Sequence, residues 1–260
     1  LPDVLAPEER VPLRDLYIGG GTPTALSVPE LKYLLEAITR VAQPQDENTF
    51  VATCECTPDT LAAPDGREKI ALLLKYGVNR FSLGVQTCSN ETLDSVCRGH
   101  GGLENARAAV DAIHDICRDA DLGRPNLNVD LIYGFPGQTI SDWEEDLGQF
   151  DESFAGCMPQ SVTFYYMRYH PNSRLGKVTP DAHRVPWSDL VEMRRSYCRF
   201  ARDKWGYQMC RPHYWREKEG EAVKYQGAPC LDYDNEGAQI GFGPSAYSHI
   251  GLSVGRNKTV

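Results

Sequence analysis

The sequence predicts an α/β fold in which parallel strands alternate with crossover helices, and two observations carry that prediction. Five apolar, strand-like segments are each followed by a segment whose apolar residues recur at helical spacing. The glycine and polar residues that punctuate them collect where the strands end, at Gly19-Gly20-Gly21-Thr22, Glu55, Gln86 and Asp130. An open doubly wound sheet and a closed or partial barrel both satisfy this order, and both bind ligands at the carboxyl ends of their strands.

The first strand, at residues 16–18, runs into three glycines and a Thr22-Pro23 that halts it. Glycine lets the backbone adopt φ > 0 and touch a ligand directly, although the same residues also spell an ordinary turn. Ser27-Val28-Pro29-Glu30 predicts a helix start: Ser27 caps, Pro29 is tolerated in the first turn, and Glu30 sits three residues on. Leu31, Leu34, Leu35, Ile38 and Val41 then form one apolar stripe. A second strand over residues 49–55 leads to a helix over 66–76 with Gly77 as its C-cap. The third strand, residues 80–85, ends at Gln86; Ser89 begins a short helical turn, and a helix over 103–117 carries Ala106, Val110 and Ile113 on one face. The fourth strand, residues 127–133, is stopped by Gly134-Phe135-Pro136-Gly137. Ser141-Asp142-Trp143-Glu144 is expected to open the next helix as a capping box. A fifth strand over 161–167 precedes a long helix over 188–204. From 205 to 260 the chain turns aromatic- and glycine-rich, with Gly241-Phe242-Gly243-Pro244-Ser245-Ala246-Tyr247 as a second tight turn.

Composition excludes some functions. With 41% hydrophobic and 24% charged residues the 260-residue chain is an ordinary globular protein. Its net charge of −9 argues against a nonspecific nucleic-acid binder, while a local arginine cluster would still admit an anionic small molecule. The longest helix-like apolar run, Ile70 to Leu74, is far short of the roughly 18 residues of a membrane span, so no membrane partner is expected. No signal peptide is visible. The chain starts at Leu1 rather than Met and stops after Gly255-Arg256-Asn257-Lys258, so further residues are expected at both ends. Nine cysteines, at 54, 56, 88, 97, 117, 157, 198, 210 and 230, form no Cys-x2-Cys pair. An odd number cannot pair completely, and a reducing, cytoplasmic setting with mostly unpaired thiols is expected.

Side chains alternate along a strand. Glu55 therefore points away from Cys54 and Cys56, and Asp130 away from Val129 and Leu131, so both carboxylates face the interior or its mouth if the apolar flankers face the helices. Carboxylates and amides accept from ribose hydroxyls, an arginine such as Arg98 forks onto a carboxylate, and glycine carbonyls accept from an ammonium. Taken singly, Gln86 or Asp130 could equally satisfy backbone donors, and Arg98 could be a solvated helix residue. Cys54 and Cys56 read as core, with no third ligand nearby in sequence. The glycine run lacks the Gly-x-Gly-x-x-Gly spacing of dinucleotide folds. Tyr165-Tyr166-Met167-Arg168-Tyr169-His170 fits either a substrate wall or core. His213-Tyr214-Trp215-Arg216, read as lying outside regular structure, suits stacking on a flat ring.

Together, Tyr17-Ile18-Gly19-Gly20-Gly21-Thr22-Pro23-Thr24, Asn79-Arg80-Phe81-Ser82-Leu83-Gly84-Val85-Gln86, the run from Asn128 to Thr139 (Asn-Val-Asp-Leu-Ile-Tyr-Gly-Phe-Pro-Gly-Gln-Thr) and Gly241 to Tyr247 resemble the radical S-adenosylmethionine superfamily. More narrowly, they resemble the branch typified by oxygen-independent coproporphyrinogen III oxidase, which includes radical methyltransferases and cyclopropanases. The resemblance implies a partial (β/α)6 TIM-type barrel over residues 1–204, with its first strand and cluster loop upstream of Leu1. A mixed, aromatic- and Gly-rich extension over 205–260 would begin a substrate-covering region. It implies S-adenosylmethionine, two molecules of it in this branch, a [4Fe–4S] cluster, and a flavodoxin- or ferredoxin-type electron donor. Gly19, Gly20 and Gly21, with Thr22 beside them, would meet the methionine amino group and Arg98 its carboxylate; Gln86 and Asp130 would hold the ribose, with Glu55 alongside and Ile132 on the adenine. Arg168 would contact the second molecule. The family's Cys-x3-Cys-x2-Cys has no counterpart in this sequence, so no metal ligand is assigned.

The implied chemistry is reductive cleavage of the sulfonium to a 5′-deoxyadenosyl radical that abstracts hydrogen. Three activities then compete. The favoured one is C-methylation or methylene transfer, including cyclopropanation, on an aromatic natural product, because residues from Tyr207 to Trp215 suit a flat substrate. Oxidative decarboxylation of coproporphyrinogen III is the second, kept open by the arginines between Arg168 and Arg216. A haem-binding chaperone is the third.

Overall fold

The computed structural model of the chain describes residues 9–96, 102–218, 239–244, 246–250 and 253–256. In chain order its elements are β1 (Val11–Leu13), β2 (Asp15–Ile18), α1 (Val28–Val41), β3 (Ala42–Pro44), β4 (Val51–Cys56), α2 (Pro58–Ala62), α3 (Gly66–Lys75), β5 (Arg80–Gln86), α4 (Asn90–Ser95), α5 (Gly102–Asp119), β6 (Asn126–Tyr133), α6 (Ile140–Ser153), β7 (Ser161–Tyr166), α7 (Arg174–Val178), α8 (Trp187–Arg199), β8 (Gln208–Arg211), β9 (Tyr214–Arg216), β10 (Tyr247–Ile250) and β11 (Ser253–Arg256).

The main sheet has the order β2-β4-β5-β6-β7-β9-β8. Strands β2, β4, β5, β6 and β7 are parallel, and each adds to the side left open by the one before it. A doubly wound sheet would reverse that order midway. Unreversed winding is the barrel pattern, and it settles the alternative left open by the element order. The hairpin β8–β9 closes the far side antiparallel to β7, so the run from Tyr214 to Arg216, expected outside regular structure, is a strand. Two smaller sheets pair β1 with β3 and β10 with β11.

The alternation anticipated for Glu55 and Asp130 holds along the whole sheet. Ile18, Cys54, Phe81, Leu83, Leu127, Val129, Val162 and Phe164 are buried on one face with Leu31 and Leu35 of α1, Ile70 and Leu73 of α3, Val110 and Ile113 of α5, and Leu147 and Phe150 of α6. Cys54 and Cys56 belong to this core. The Cys54 thiol beside it and then burial hold the Cys56 thiol well above the ordinary range.

Local signals hold where they are backbone-specific. The Ser27 N–H donates to the Glu30 carboxylate at 2.9 Å, forming the capping box that opens α1. Gly77 ends α3 at φ +84°. The expected box at Ser141 is displaced by two residues. Asp142 N–H donates to Thr139 Oγ1 at 3.2 Å and Thr139 N–H to the Asp142 carboxylate at 2.8 Å, so Thr139 is the cap and Ser141 and Glu144 lie within α6. The short α2 went unanticipated, and the long helix expected to 204 is regular only to Arg199, with a wider turn from Phe200 to Lys204.

Trp143 joins α6 to α8. It is fully buried, its indole N–H donates to Met193 O at 3.0 Å, and its ring lies 5.5 Å from that of Tyr133. Trp143→Ala is expected to destabilise the fold by about 3–5 kcal/mol, mainly through the cavity it leaves. Urea unfolding measures this, and a loss below about 1 kcal/mol would contradict the packing described.

Candidate cofactor-binding site

Because paired strand residues share a face, the registers put Tyr17, Thr53, Glu55, Arg80, Ser82, Gly84, Asn128, Asp130, Ser161 and Thr163 together on the side away from the helices. This face is largely polar, and most of its side chains bond to one another.

At the carboxyl end of β2, Gly19 packs so closely that an added Cβ would lie 2.7 Å from the Tyr17 ring and 2.9 Å from the Glu55 carboxyl carbon. Gly20 has φ +116°, a conformation L side chains rarely adopt, and nothing lies within 4 Å of a Cβ built on Gly20 or Gly21. The three glycines thus do different work: the first lets strands approach, the second reverses the backbone, and the last two leave bare main chain facing open space. Glu55 fixes the turn from β4. It accepts from the Tyr17 hydroxyl at 2.6 Å and the Gly20 N–H at 3.2 Å. Burial and then the Glu55 hydrogen bond hold the Tyr17 hydroxyl well above its ordinary range, so it remains a donor. Thr22 N-caps the short turn Pro23–Ala25 that follows.

The next strands continue the rim. Ser82, the register partner of Glu55, donates to Asp130 Oδ2 at 3.2 Å. Asn128 Nδ2 donates to Asp130 Oδ1 at 2.8 Å and to Ser82 Oγ at 3.0 Å. The Asn128 carbonyl accepts from Ser161 Oγ at 2.9 Å and Thr163 Oγ1 at 3.1 Å, and Arg80 reaches Ser161 at 3.5 Å. Burial raises the Asp130 carboxyl, while the Asn128 amide, the Arg80 guanidinium and the hydroxyls pull it down less than burial lifts it. Gln86 ends β5 at φ +71°, in a register shift beside Asp130, and Ile132 stands half-buried two residues along β6.

Gly19 to Thr22, Glu55, Gln86, Asp130 and Ile132 therefore lie along one rim of adjacent strands. Arg168 makes its contact elsewhere, its guanidinium 4.8 Å over the Tyr166 ring, and Trp187 meets that ring edge-on at 6.4 Å. Arg98 lies outside the described residues. Two residues invoked for a flat substrate are misassigned: Tyr207 and Trp215 are 2% and 4% exposed and belong to the helix-side core. Alternation places Trp215 with its register partner Val162 on that face. Tyr17, Arg80, Ser82, Asn128 and Thr163 were not singled out beforehand. Their signal was present as period-two polar residues, Arg80-x-Ser82-x-Gly84 and Asn128-x-Asp130, inside apolar strands.

A family model described as the radical SAM superfamily matches residues 5–149. The haem chaperone HemW of Escherichia coli is 30% identical over 250 residues, which cover 94% of this chain and 58% of that protein. HemW of Bacillus subtilis is 37% identical over 135 residues, 52% of this chain and 32% of that protein. Among solved structures, coproporphyrinogen III oxidase (HemN) from E. coli, described as a radical SAM enzyme, matches 95% of this chain and 55% of its own with a TM-score of 0.76 at 22% identity. The chain belongs to the radical SAM superfamily, in its coproporphyrinogen oxidase-like branch. Its fold is the TIM-like barrel of HemN. It spans 32% and 58% of these two HemW proteins.

S-adenosylmethionine fits this rim: bare backbone at Gly20 and Gly21 faces open space, and acceptors for hydroxyls stand on β5 and β6. Among the described residues no group of three His, Cys, Asp or Glu side chains is placed to hold a metal, so none of them is assigned as a ligand to an iron–sulfur cluster. Among the same residues no helix is long and apolar enough to cross a membrane.

Asn128→Leu removes the amide that bridges Asp130 to Ser161 and Thr163 and is expected to cost about 1–3 kcal/mol. The sign with pH follows from Asp130. A carboxyl raised on folding adds stability that is fully present below its ordinary value of 3.8 and lost as pH rises through the higher folded value. Losing Asn128 raises it further, so the deficit against wild type should be larger at about pH 7 than at about pH 4. Equal deficits in urea unfolding at both pH values would contradict the hub role.

Proposed function

We propose that the chain is the S-adenosylmethionine-binding part of a radical SAM protein whose second ligand is a tetrapyrrole, haem in the first instance. The observation that carries the first half is the Gly20–Gly21 backbone, open on one side and anchored by Glu55 on the other. In this assignment the glycine carbonyls accept from the methionine ammonium and Arg98 pairs with the carboxylate. Gln86 and Asp130 accept from the ribose hydroxyls, and Ile132 packs on the adenine. Once an electron reaches its sulfonium, for which a flavodoxin- or ferredoxin-type donor is proposed, S-adenosylmethionine supplies a 5′-deoxyadenosyl radical. The chain's own contribution is to bind, to orient and to hold Asp130 as an acceptor through Asn128, Ser82 and Arg80.

The tetrapyrrole half rests on the relatives, whose names concern haem or coproporphyrinogen. With Tyr207 and Trp215 buried, methylation of a flat aromatic substrate loses the residues that favoured it. One observation keeps methyl or methylene transfer as a second possibility. Tyr166, Arg168 and Trp187 form an exposed aromatic-and-cation platform just past β7, where a second S-adenosylmethionine would bind. Residues from 205 onward are proposed to begin a region that covers the substrate.

Assay of the full-length, iron–sulfur-reconstituted protein separates these. Stoichiometric haem binding without consumption of the haem is expected. S-adenosylhomocysteine formed alongside 5′-deoxyadenosine would establish methyl transfer instead, and carbon dioxide without S-adenosylhomocysteine would establish decarboxylation. Asp130→Ala should weaken S-adenosylmethionine binding about tenfold or more, for a lost charge-assisted hydrogen bond. Unchanged binding in both Asp130→Ala and Arg98→Ala would sink the site assignment.

A further inference from the structure

Strand β5 ends in a conformation that needs explaining. Gln86 has φ +71°, and Thr87 N–H donates to Val85 O at 2.9 Å, closing a three-residue γ-turn of the rare positive-φ kind around it. A non-glycine residue stays there only where its surroundings over-determine it, and such strain clusters at ligand sites. One constraint is Gly84. A Cβ added to it would lie 2.5 Å from Gln86 Nε2, so the Gln86 side chain folds back over bare backbone at the position paired with Asp130.

The other constraint comes from behind. Asp146 of α6 lies on the apolar stripe of Trp143, Leu147 and Phe150 and is 4% exposed. An aspartate there opposes the hydrophobic pattern, and a buried carboxylate persists only when donors satisfy it. Among the described residues, its donors come from the three residues that follow Gln86. Thr87 Oγ1 donates to Oδ2 at 2.7 Å, Cys88 N–H donates to Oδ1, and the Ser89 backbone N–H adds to them. Burial pushes the carboxyl up to about 6, and these donors pull the other way. Thr87 in turn accepts from Ser89 N–H at 3.1 Å, and Ser89 caps α4. The loop has little freedom left.

We infer that Asp146 is a positioning residue for Gln86: by gathering Thr87, Cys88 and Ser89 it holds the γ-turn that presents the Gln86 amide beside Asp130 on the ligand rim. This rests on the proposed contact between Gln86 and the ribose of S-adenosylmethionine. Asp146 touches no ligand itself and acts through the turn.

A double-mutant cycle on S-adenosylmethionine affinity tests it, using the full-length, iron–sulfur-reconstituted protein and equilibrium dialysis. Gln86→Gly removes both the amide and the strain and should weaken binding about tenfold, and Asp146→Asn about five- to tenfold. The double variant should bind within about twofold of Gln86→Gly alone, because residues acting through one turn are not additive. Amide exchange at Cys88, which needs no cofactor, should quicken about tenfold or more in Asp146→Asn. Equal losses from Asp146→Asn in both backgrounds, as general loosening of the core would give, overturn the inference. Gln86→Gly binding as tightly as wild type overturns the cofactor assignment and the inference with it. If Asp146→Asn does not fold, Thr87→Val removes one donor to the same carboxylate, and the same cycle decides.

Discussion

All the crossover helices cover one face of the sheet, so the alternation of side chains divides every strand into an apolar half and a polar half. The apolar half follows the familiar rule. Among the described residues the polar half has no comparable layer of helices over it and largely satisfies itself. Asn128 does most of this, giving its two amide protons to Asp130 and Ser82 and taking hydroxyl protons from Ser161 and Thr163. An amide suits that position because it is donor and acceptor at once, which neither a carboxylate nor an ammonium can be. Thr53 Oγ1 and the Nε of Arg216, also buried, have no hydrogen-bond partner among the described residues. A buried polar network of this kind is stable only when nearly complete, which ties the acceptor geometry at Asp130 to residues on both neighbouring strands.

The rim above this network is built from departures from regular backbone. Gly20, Gln86 and Gly134 each follow or end a strand at positive φ, at +116°, +71° and +81°. Each departure stops the strand and turns main chain toward the rim, and each is held by a different device. Glu55 holds Gly20 from the neighbouring strand. Asp146 holds the turn after Gln86 from a helix. Gln138 holds Gly134 from within its own loop, accepting from its N–H at 2.7 Å, while Leu190 of α8 occupies the space a side chain there would need. The rim is therefore braced from a neighbouring strand, from a helix behind it and from within its own loop.

This bracing explains why the glycine and proline motifs of the branch run so far along the chain. A rim made of irregular turns has no repeating hydrogen-bond ladder to support it, so each turn needs its own buried acceptor or its own close packing. The Gly19 contacts with Tyr17 and Glu55, the Gln86 amide over Gly84, and Leu190 against Gly134 are three instances of the second kind. At all three, absent Cβ atoms let another group come within bonding or packing range.

By itself, the sequence determined whatever depends on neighbours within a few residues. Period-two alternation placed Glu55 and Asp130 on the inner face, the Ser27–Glu30 pattern opened α1, and Gly77 closed α3. Those are backbone and alternation effects that need no knowledge of the fold. Tertiary structure alone decided the rest. Strand order separated barrel from doubly wound winding, because both share the same succession of elements. Pairing with β7 turned Trp215 from a stacking surface into core, since a three-residue strand takes its faces from its partner. Asp146 is a charge on an apolar stripe whose donors come from a loop 59 residues before it. Contacts that join distant segments carry no local pattern, and the acceptors that shape this rim are mostly of that kind.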